Sequence, residues 1–265
     1  MKPPVIALLT DFGEEDFFVP AMKGVIAGIN PDAHIADITH QVPSHNIQAG
    51  AFILNAVFRY FPADTVFLAV VDPGVGTRRR ILLAQLEGCS FVAPDNGLLS
   101  YVLDGAEHPE VRAVTAGHYF FPQTGRTFEG RDKMAPVAAW VSKDVDGDKF
   151  GGRIEDFHCF PVDRPRINGE SVTGKVVYKD KFGNLITNIP VNALQALAPG
   201  PESLRIRSAG RDFPFVESYG AVDRGSLLAL TGSLGSLEIA VREGSAAQET
   251  GLKPGDPVAV DKKID

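Results

Sequence analysis

The sequence predicts two domains of different class: an α/β domain with a mostly parallel sheet flanked by helices over residues 1–163, and a small all-β, barrel-like domain over residues 170–265. Three observations predict this. Short apolar runs alternate with helical periodicity through the first half, in the order β-α-β-α-β. A polar, proline-broken stretch from Gly147 to Gly169, with Pro161 and Pro165, then reads as a linker. Beyond it the patterning is by short strands separated by glycines.

Val5 to Thr10 is an apolar strand that ends in Thr10-Asp11-Phe12-Gly13. Phe18, Met22, Val25, Ile26 and Ile29 fall on one side of a helix over Phe17 to Ile29, which Asn30-Pro31 ends. His34 to Thr39 is the second strand, and it leads into a loop carrying His40 and His45. Ile47, Ala51, Leu54, Phe58 and Phe61 then mark the clearest helix in the chain. Thr65 to Val71 is an uninterrupted apolar run, as expected of a strand buried on both faces. Ile81 to Leu86 and Ser90 to Ala93 read as a hairpin or neighbouring strands, followed by a short helix over Leu98 to Leu103. Thr127-Phe128-Glu129-Gly130-Arg131-Asp132 precedes a helix with Pro136 in its first turn and Trp140 on its apolar side. In the second half, strands are expected over Ser171 to Tyr178, Leu204 to Arg207, Ser226 to Leu230, Leu237 to Val241 and Pro257 to Val260.

Composition narrows the function classes. The 265 residues are 44% hydrophobic and 22% charged, ordinary for a soluble globular protein, and the net charge of -7 argues against general nucleic-acid binding. No apolar run reaches the roughly 18 residues of a membrane span. Met1-Lys2-Pro3-Pro4 leads straight into a strand rather than a signal peptide, so a cytoplasmic location is expected. Cys89 and Cys159 lack any metal-ligand spacing and are expected to be buried thiols, with no metal site.

The richest stretch is Val71-Asp72-Pro73-Gly74-Val75-Gly76-Thr77-Arg78-Arg79-Arg80. A buried strand breaks off at an acid, a proline and two glycines, and in open α/β sheets ligands sit beyond the carboxyl ends of the strands. Arg79 is far enough from Asp72 for the loop to fold back and pair them, which would keep Asp72 ionised and oriented. An ordinary turn with Asp72 as a cap and solvated arginines fits the same residues. Neither the P-loop pattern nor a dinucleotide fingerprint is present, since Arg79 stands where a third glycine would be needed.

Taken together, Leu9-Thr10-Asp11-Phe12-Gly13, Asp37-Ile38-Thr39-His40, Val71-Asp72-Pro73-Gly74, Ala93-Pro94-Asp95-Asn96-Gly97, Gly130-Arg131-Asp132, Phe182-Gly183-Asn184 and Leu237-Glu238-Ile239-Ala240 make a chain that resembles the S-adenosylmethionine hydrolases. These are also called S-adenosylmethionine hydroxide adenosyltransferases, and the fluorinases and chlorinases are their relatives. The resemblance implies a homotrimer, with each ligand held between the N-terminal domain of one subunit and the β domain of its neighbour. It implies attack of water or hydroxide at ribose C5′ of S-adenosylmethionine, giving adenosine and L-methionine, with no cofactor. By motif, Asp11 would bind the ribose hydroxyls, and Asp72 and Arg79 would position the nucleophile. Asp180, Asn184 and Ser233 would take the methionine amino and carboxylate groups, Phe182 would pack on the adenine, and Ser245 and Ala246 would read its edge.

One departure stands out: where the hydrolases carry a histidine after Thr-Phe, this chain has Glu129. Two carboxylates beside one hydroxide repel it unless one is protonated or paired with arginine. His40 and His45 lie near the same mouth as stand-ins, or as hydrogen-bonded loop residues. A nucleoside or S-adenosylmethionine binding protein with little turnover, a halide-using transferase and a metal-dependent phosphatase are the competing readings.

Overall fold

The computed structural model describes residues 3–122, 125–198 and 200–263. Contacts divide the chain into two compact domains, Met1–Val162 and Asp163–Asp265.

The first domain holds β1 (Val5–Thr10), α1 (Phe18–Ile29), β2 (His34–Thr39), α2 (Ile47–Val57), β3 (Val66–Val70), β4 (Ile81–Leu86), β5 (Cys89–Pro94), α3 (Ser100–Leu103), β6 (Glu110–Ala113) and α4 (Ala135–Val141). The strands form one six-stranded sheet in the order β2-β1-β3-β5-β4-β6. Neighbours from β2 to β5 are parallel, but β4 is antiparallel to both β5 and β6, so the sheet is mixed. The cause is local. Only Glu87 and Gly88 join β4 to β5, both at positive φ (49° and 73°), which makes a tight hairpin and leaves no chain for a crossover. Glu110–Ala113 was not legible as a strand because it is four residues long and carries two charges.

Every residue of β3 is buried. Leu68 and Val70 pack with Ile6, Leu8, Met22 and Ile26 on one face. Phe67 stacks on Phe91 at 4.9 Å on the other, with Phe58 against both. Of the long helices, α2 carries the side-chain cap, Asn46 Oδ1 accepting from Ala49 N at 2.9 Å.

The stretch expected to be a linker is largely tied to this domain. Ala113 N donates to Gly152 O, Ile154 N to Val111 O, and His158 N to the Asp95 carboxylate at 2.7 Å. Backbone hydrogen bonding of a polar segment leaves no trace in hydrophobic periodicity. Cys89 is buried as expected, but Cys159 is exposed, because His158 to Phe160 runs along the surface over Gly97 and Ser100.

The second domain contains β7 (Arg166–Ile167), β8 (Ser171–Lys179), β9 (Leu185–Pro190), α5 (Val191–Leu197), β10 (Leu204–Ser208), β11 (Arg211–Phe213), β12 (Leu227–Thr231), β13 (Ser236–Val241), α6 (Ala246–Thr250) and β14 (Pro257–Lys262). Its sheet runs β11-β10-β14-β8-β9-β13-β12, with β7 added on β8, and every ladder is antiparallel. Beyond β11 the chain reaches β12, where Ala229 N donates to Pro214 O at 2.8 Å and Val216 N to Ala229 O at 2.9 Å, so the barrel is nearly closed. Val172, Val176, Leu185, Ile206, Ile239 and Val260 fill its interior.

Candidate active site

β1 and β3 are parallel neighbours, with Thr10 in register with Val70. Asp11 and Asp72 therefore emerge side by side beyond the carboxyl ends of two buried strands. The loop after β3 turns tightly, with Val75 N donating to Asp72 O and Thr77 Oγ1 to Gly74 O at 2.7 Å. Gly76 has φ +79° and lies so close to Arg126 O that a Cβ would sit 3.0 Å from it, so glycine is required there.

That loop turns Arg79 back onto Asp72. Arg79 Nε donates to both carboxylate oxygens at 3.0 and 2.9 Å, and Nη2 also donates to Oδ2. The adjacent arginine is diverted, since Arg80 pairs with Asp95 and Asp156. On its far side Arg79 Nη2 meets Glu129 Oε2 at 2.5 Å, an ion pair rather than an aligned hydrogen bond, while Glu129 Oε1 accepts from Lys133. Glu129 ends the Thr127-Phe128 segment at the mouth of a π-helical turn, Gly130–Met134, which runs directly into α4. Wide turns of this kind recur at functional sites.

The side chains of Asp72, Arg79 and Glu129 are only 4%, 9% and 6% exposed. Burial alone lowers the pKa of the Arg79 guanidinium, but hydrogen bonding to Asp72 and the charges of Asp72 and Glu129 outweigh it, and the net shift is upward. The like charges of the two acids are thus bridged by a permanent cation.

Asp11, His45, Asp72 and Glu129 line one cavity of about 310 Å³, together with Phe12, Phe18, Val70, Val75 and Phe128. The apolar wall is a packed aromatic cluster, with Phe18 5.1 Å from Phe128 and 5.4 Å from Phe12. Asp11 Oδ2 accepts from His45 N at 2.8 Å, and His45 holds φ 65° to present that amide. His40 does not face the cavity. It is 3% exposed, with Nδ1 2.9 Å from Thr10 Oγ1 and Nε2 3.0 Å from Asp37 Oδ1, so it braces the ends of β1 and β2.

In the second domain, Asp180 folds the Asp180–Asn184 loop around its carboxylate. Oδ1 accepts from Phe182 N at 2.9 Å and Asn184 N at 2.8 Å, and Oδ2 from Asn184 Nδ2 at 2.9 Å. Three of its roughly four acceptor positions are so engaged. Phe182 is left 73% exposed, whereas Asn184 is buried. Gly183 O accepts from Ala247 N at 2.9 Å, which brings Ser245 and the buried Ala246 against the same loop. The Ser245 side chain is occupied in capping α6, where it accepts from Gln248 N at 3.2 Å. Ser233 is exposed on the turn between β12 and β13.

Sequence reasoning gave no role to two groups beside these residues. Lys133 carried no signal, being one more surface-type residue in a helical pattern. Glu238 on β13 is 6% exposed and accepts from Tyr219 Oη, and burial followed by the charge of Asp180 raises its pKa despite that hydrogen bond. Among the described residues, no group of three or more His, Cys, Asp or Glu side chains is placed to hold a metal ion. Nor is any helix there long and apolar enough to cross a membrane.

The model of the SAM hydroxide adenosyltransferase N-terminal domain matches residues 6–151, and that of the C-terminal domain matches residues 174–259. The chain belongs to this family. It is 36% identical to the (R)-S-adenosyl-L-methionine hydrolase of Thermus thermophilus, over 97% of this chain and 99% of that one. The (R)-S-adenosyl-L-methionine hydrolase of Salinispora tropica is 38% identical, over 97% of each. A fluorinase of Nocardia brasiliensis is 28% identical over 98% of this chain and 97% of its own. Among solved structures, an uncharacterized conserved protein from Thermotoga maritima superposes with a TM-score of 0.90 at 36% identity, covering 97% of this chain and 100% of that one.

Proposed function

We propose that this protein hydrolyses S-adenosylmethionine to adenosine and L-methionine, by attack of an oxygen nucleophile at ribose C5′. The observation that carries the reading is that Asp72 and Glu129, both ion-paired to the buried Arg79, line one cavity with Asp11 at the strand ends. It is supported by the hydrolases among the relatives.

The chemistry follows from the charges. The new O–C5′ bond forms as the C5′–S bond breaks, and the electron pair of that bond turns the sulfonium into the neutral thioether of methionine. Hydroxide and sulfonium cancel each other's charge on the way, which a cavity walled by Phe12, Phe18 and Phe128 favours over bulk water. Free water is far too weak an acid to ionise near neutral pH, so the site must stabilise hydroxide or accept a proton during attack. Arg79 serves the first task, and Asp72 or Glu129 the second. Two carboxylates facing the cavity suit a water-derived nucleophile better than a halide.

Asp11 in this reading accepts from the vicinal ribose hydroxyls, keeping the acceptor capacity that His45 N does not use. Asp180 offers its remaining acceptor position to the methionine ammonium, Asn184 and Ser233 supply donors for its carboxylate, and Phe182 provides a face for adenine. Ser245 and Ala246 flank that face through Gly183. The reading includes a homotrimer in the cytoplasm and no cofactor.

Incubation of the purified chain with S-adenosylmethionine in halide-poor buffer, followed by chromatography, tests it. Adenosine and methionine should appear in equal amounts, and an Asp72→Asn variant should form neither at a comparable rate. Tight binding of S-adenosylmethionine without either product would instead make the protein a binder.

A further inference from the structure

We infer that Lys133 is a positioning residue of the reaction, holding Glu129 as a charge-compensated arm that orients Arg79 toward the nucleophile. The inference rests on the hydrolase reading above and deepens it. Lys133 Nζ contacts Glu129 Oε1 from the same π-helical turn, which leaves Oε2 to meet Arg79 Nη2 at 2.5 Å. The four side chains form one chain of contacts, Asp72–Arg79–Glu129–Lys133, and the outermost of them, Lys133, is 23% exposed.

Charge makes the fourth member necessary. Asp72 and Glu129 carry two negative charges, and Arg79 offsets one of them. Without Lys133 an oxyanion approaching this cluster would meet net negative charge in a buried, weakly screened place, where such interactions are strongest. With it the cluster is neutral. Neither Asp11 nor Arg131 supplies this balance: Asp11 adds a negative charge to the same cavity, and Arg131 is paired with Asp132 at 2.6 Å. Orientation follows from the same contact, because a carboxylate held at Oε1 presents Oε2 in one direction only. The aromatic face of Phe120, with its centroid 5.7 Å from Lys133 Nζ, steadies the ammonium from outside.

A merely structural lysine and a positioning lysine differ in kinetics. Initial rates of adenosine formation should be compared for the wild type, Lys133→Met, Lys133→Arg, Glu129→Gln and the Glu129→Gln/Lys133→Met double variant, all as full-length chains with thermal unfolding alongside. Lys133→Met should lower kcat about 10- to 100-fold, the scale on which small misplacements act, while KM changes less than about threefold. Lys133→Arg should recover most of kcat. In the Glu129→Gln background the lysine change should alter kcat by no more than about twofold, since its effect passes through the carboxylate. An active wild type whose Lys133→Met variant keeps its kcat, or loses it equally with and without Glu129, overturns the inference alone. A wild type that forms no adenosine overturns the hydrolase reading and this inference together.

Discussion

Arg79 holds Asp72 through Nε at 3.0 and 2.9 Å and through Nη2, and the same Nη2 reaches Glu129 on its other side. One guanidinium thus joins two buried carboxylates that would otherwise repel each other. The fork shape of arginine makes this possible, and a lysine ammonium cannot reproduce it. Glu129, at the position where the hydrolases carry histidine, is accommodated because it meets a cation on each oxygen.

Arg79→Lys should keep the charge and lose the fork. We expect kcat to fall about 100- to 1000-fold, the range seen when one preorganised donor is removed from a reacting centre. Arg79→Met should in addition destabilise the first domain by about 3–5 kcal/mol, because two buried carboxylates lose their shared partner. Steady-state kinetics and denaturant unfolding measure the two effects separately.

Phe182→Ala tests adenine recognition without disturbing the fold. Its ring is 73% exposed, so thermal stability should not move. Stacking of a base on an aromatic face is worth about 1–3 kcal/mol, so KM or the dissociation constant for S-adenosylmethionine should rise about 5- to 150-fold. Unchanged binding by calorimetry would remove Phe182 from the site.

Gly183→Ala should cost both stability and binding. The residue has φ +88°, and a Cβ there would sit 2.0 Å from Ser245 Oγ. Displacing Ser245 removes the cap of α6, so strain of about 1–3 kcal/mol is joined by a cap loss of about 1 kcal/mol. Chemical unfolding of the isolated change, set beside Gly210→Ala, where nothing lies within 4 Å of the added Cβ, separates steric from purely backbone effects.

Glu238 gives a pH dependence of stability. Burial raises its folded pKa above the usual carboxylate value, so the folded state holds this proton more tightly than the unfolded one. The preference is a stabilising contribution at pH values below the unfolded pKa, and it is lost as pH rises from there through the raised folded pKa. Glu238→Gln should flatten that part of the stability profile and keep an acceptor for Tyr219. A profile that is unchanged by the substitution contradicts the assignment.

The first domain was legible where one residue type dominated a periodic pattern. Val66–Val70 declares itself as a doubly buried strand, and Ile47–Val57 as an amphipathic helix. Leu185–Pro190 did not, because its Thr187 and Asn188 look like loop residues. Thr187 is nevertheless buried, and its hydroxyl donates to Leu237 O. The helices Val191–Leu197 and Ala246–Thr250 are too short to show a period. Within the site, Asp72 and Arg79 could be paired from loop length and charge, and Glu129 from a departure in a motif. Lys133 could not, since its importance lies in what it touches across one turn rather than in any local signal.

The most direct test of the central claim is the fate of oxygen when the purified chain acts on S-adenosylmethionine in water enriched in oxygen-18. Direct attack at C5′ predicts adenosine carrying the heavy isotope at its 5′ hydroxyl, with unlabelled methionine, analysed by mass spectrometry with fragmentation. Unlabelled adenosine, label in methionine, or no cleavage at all would contradict the account.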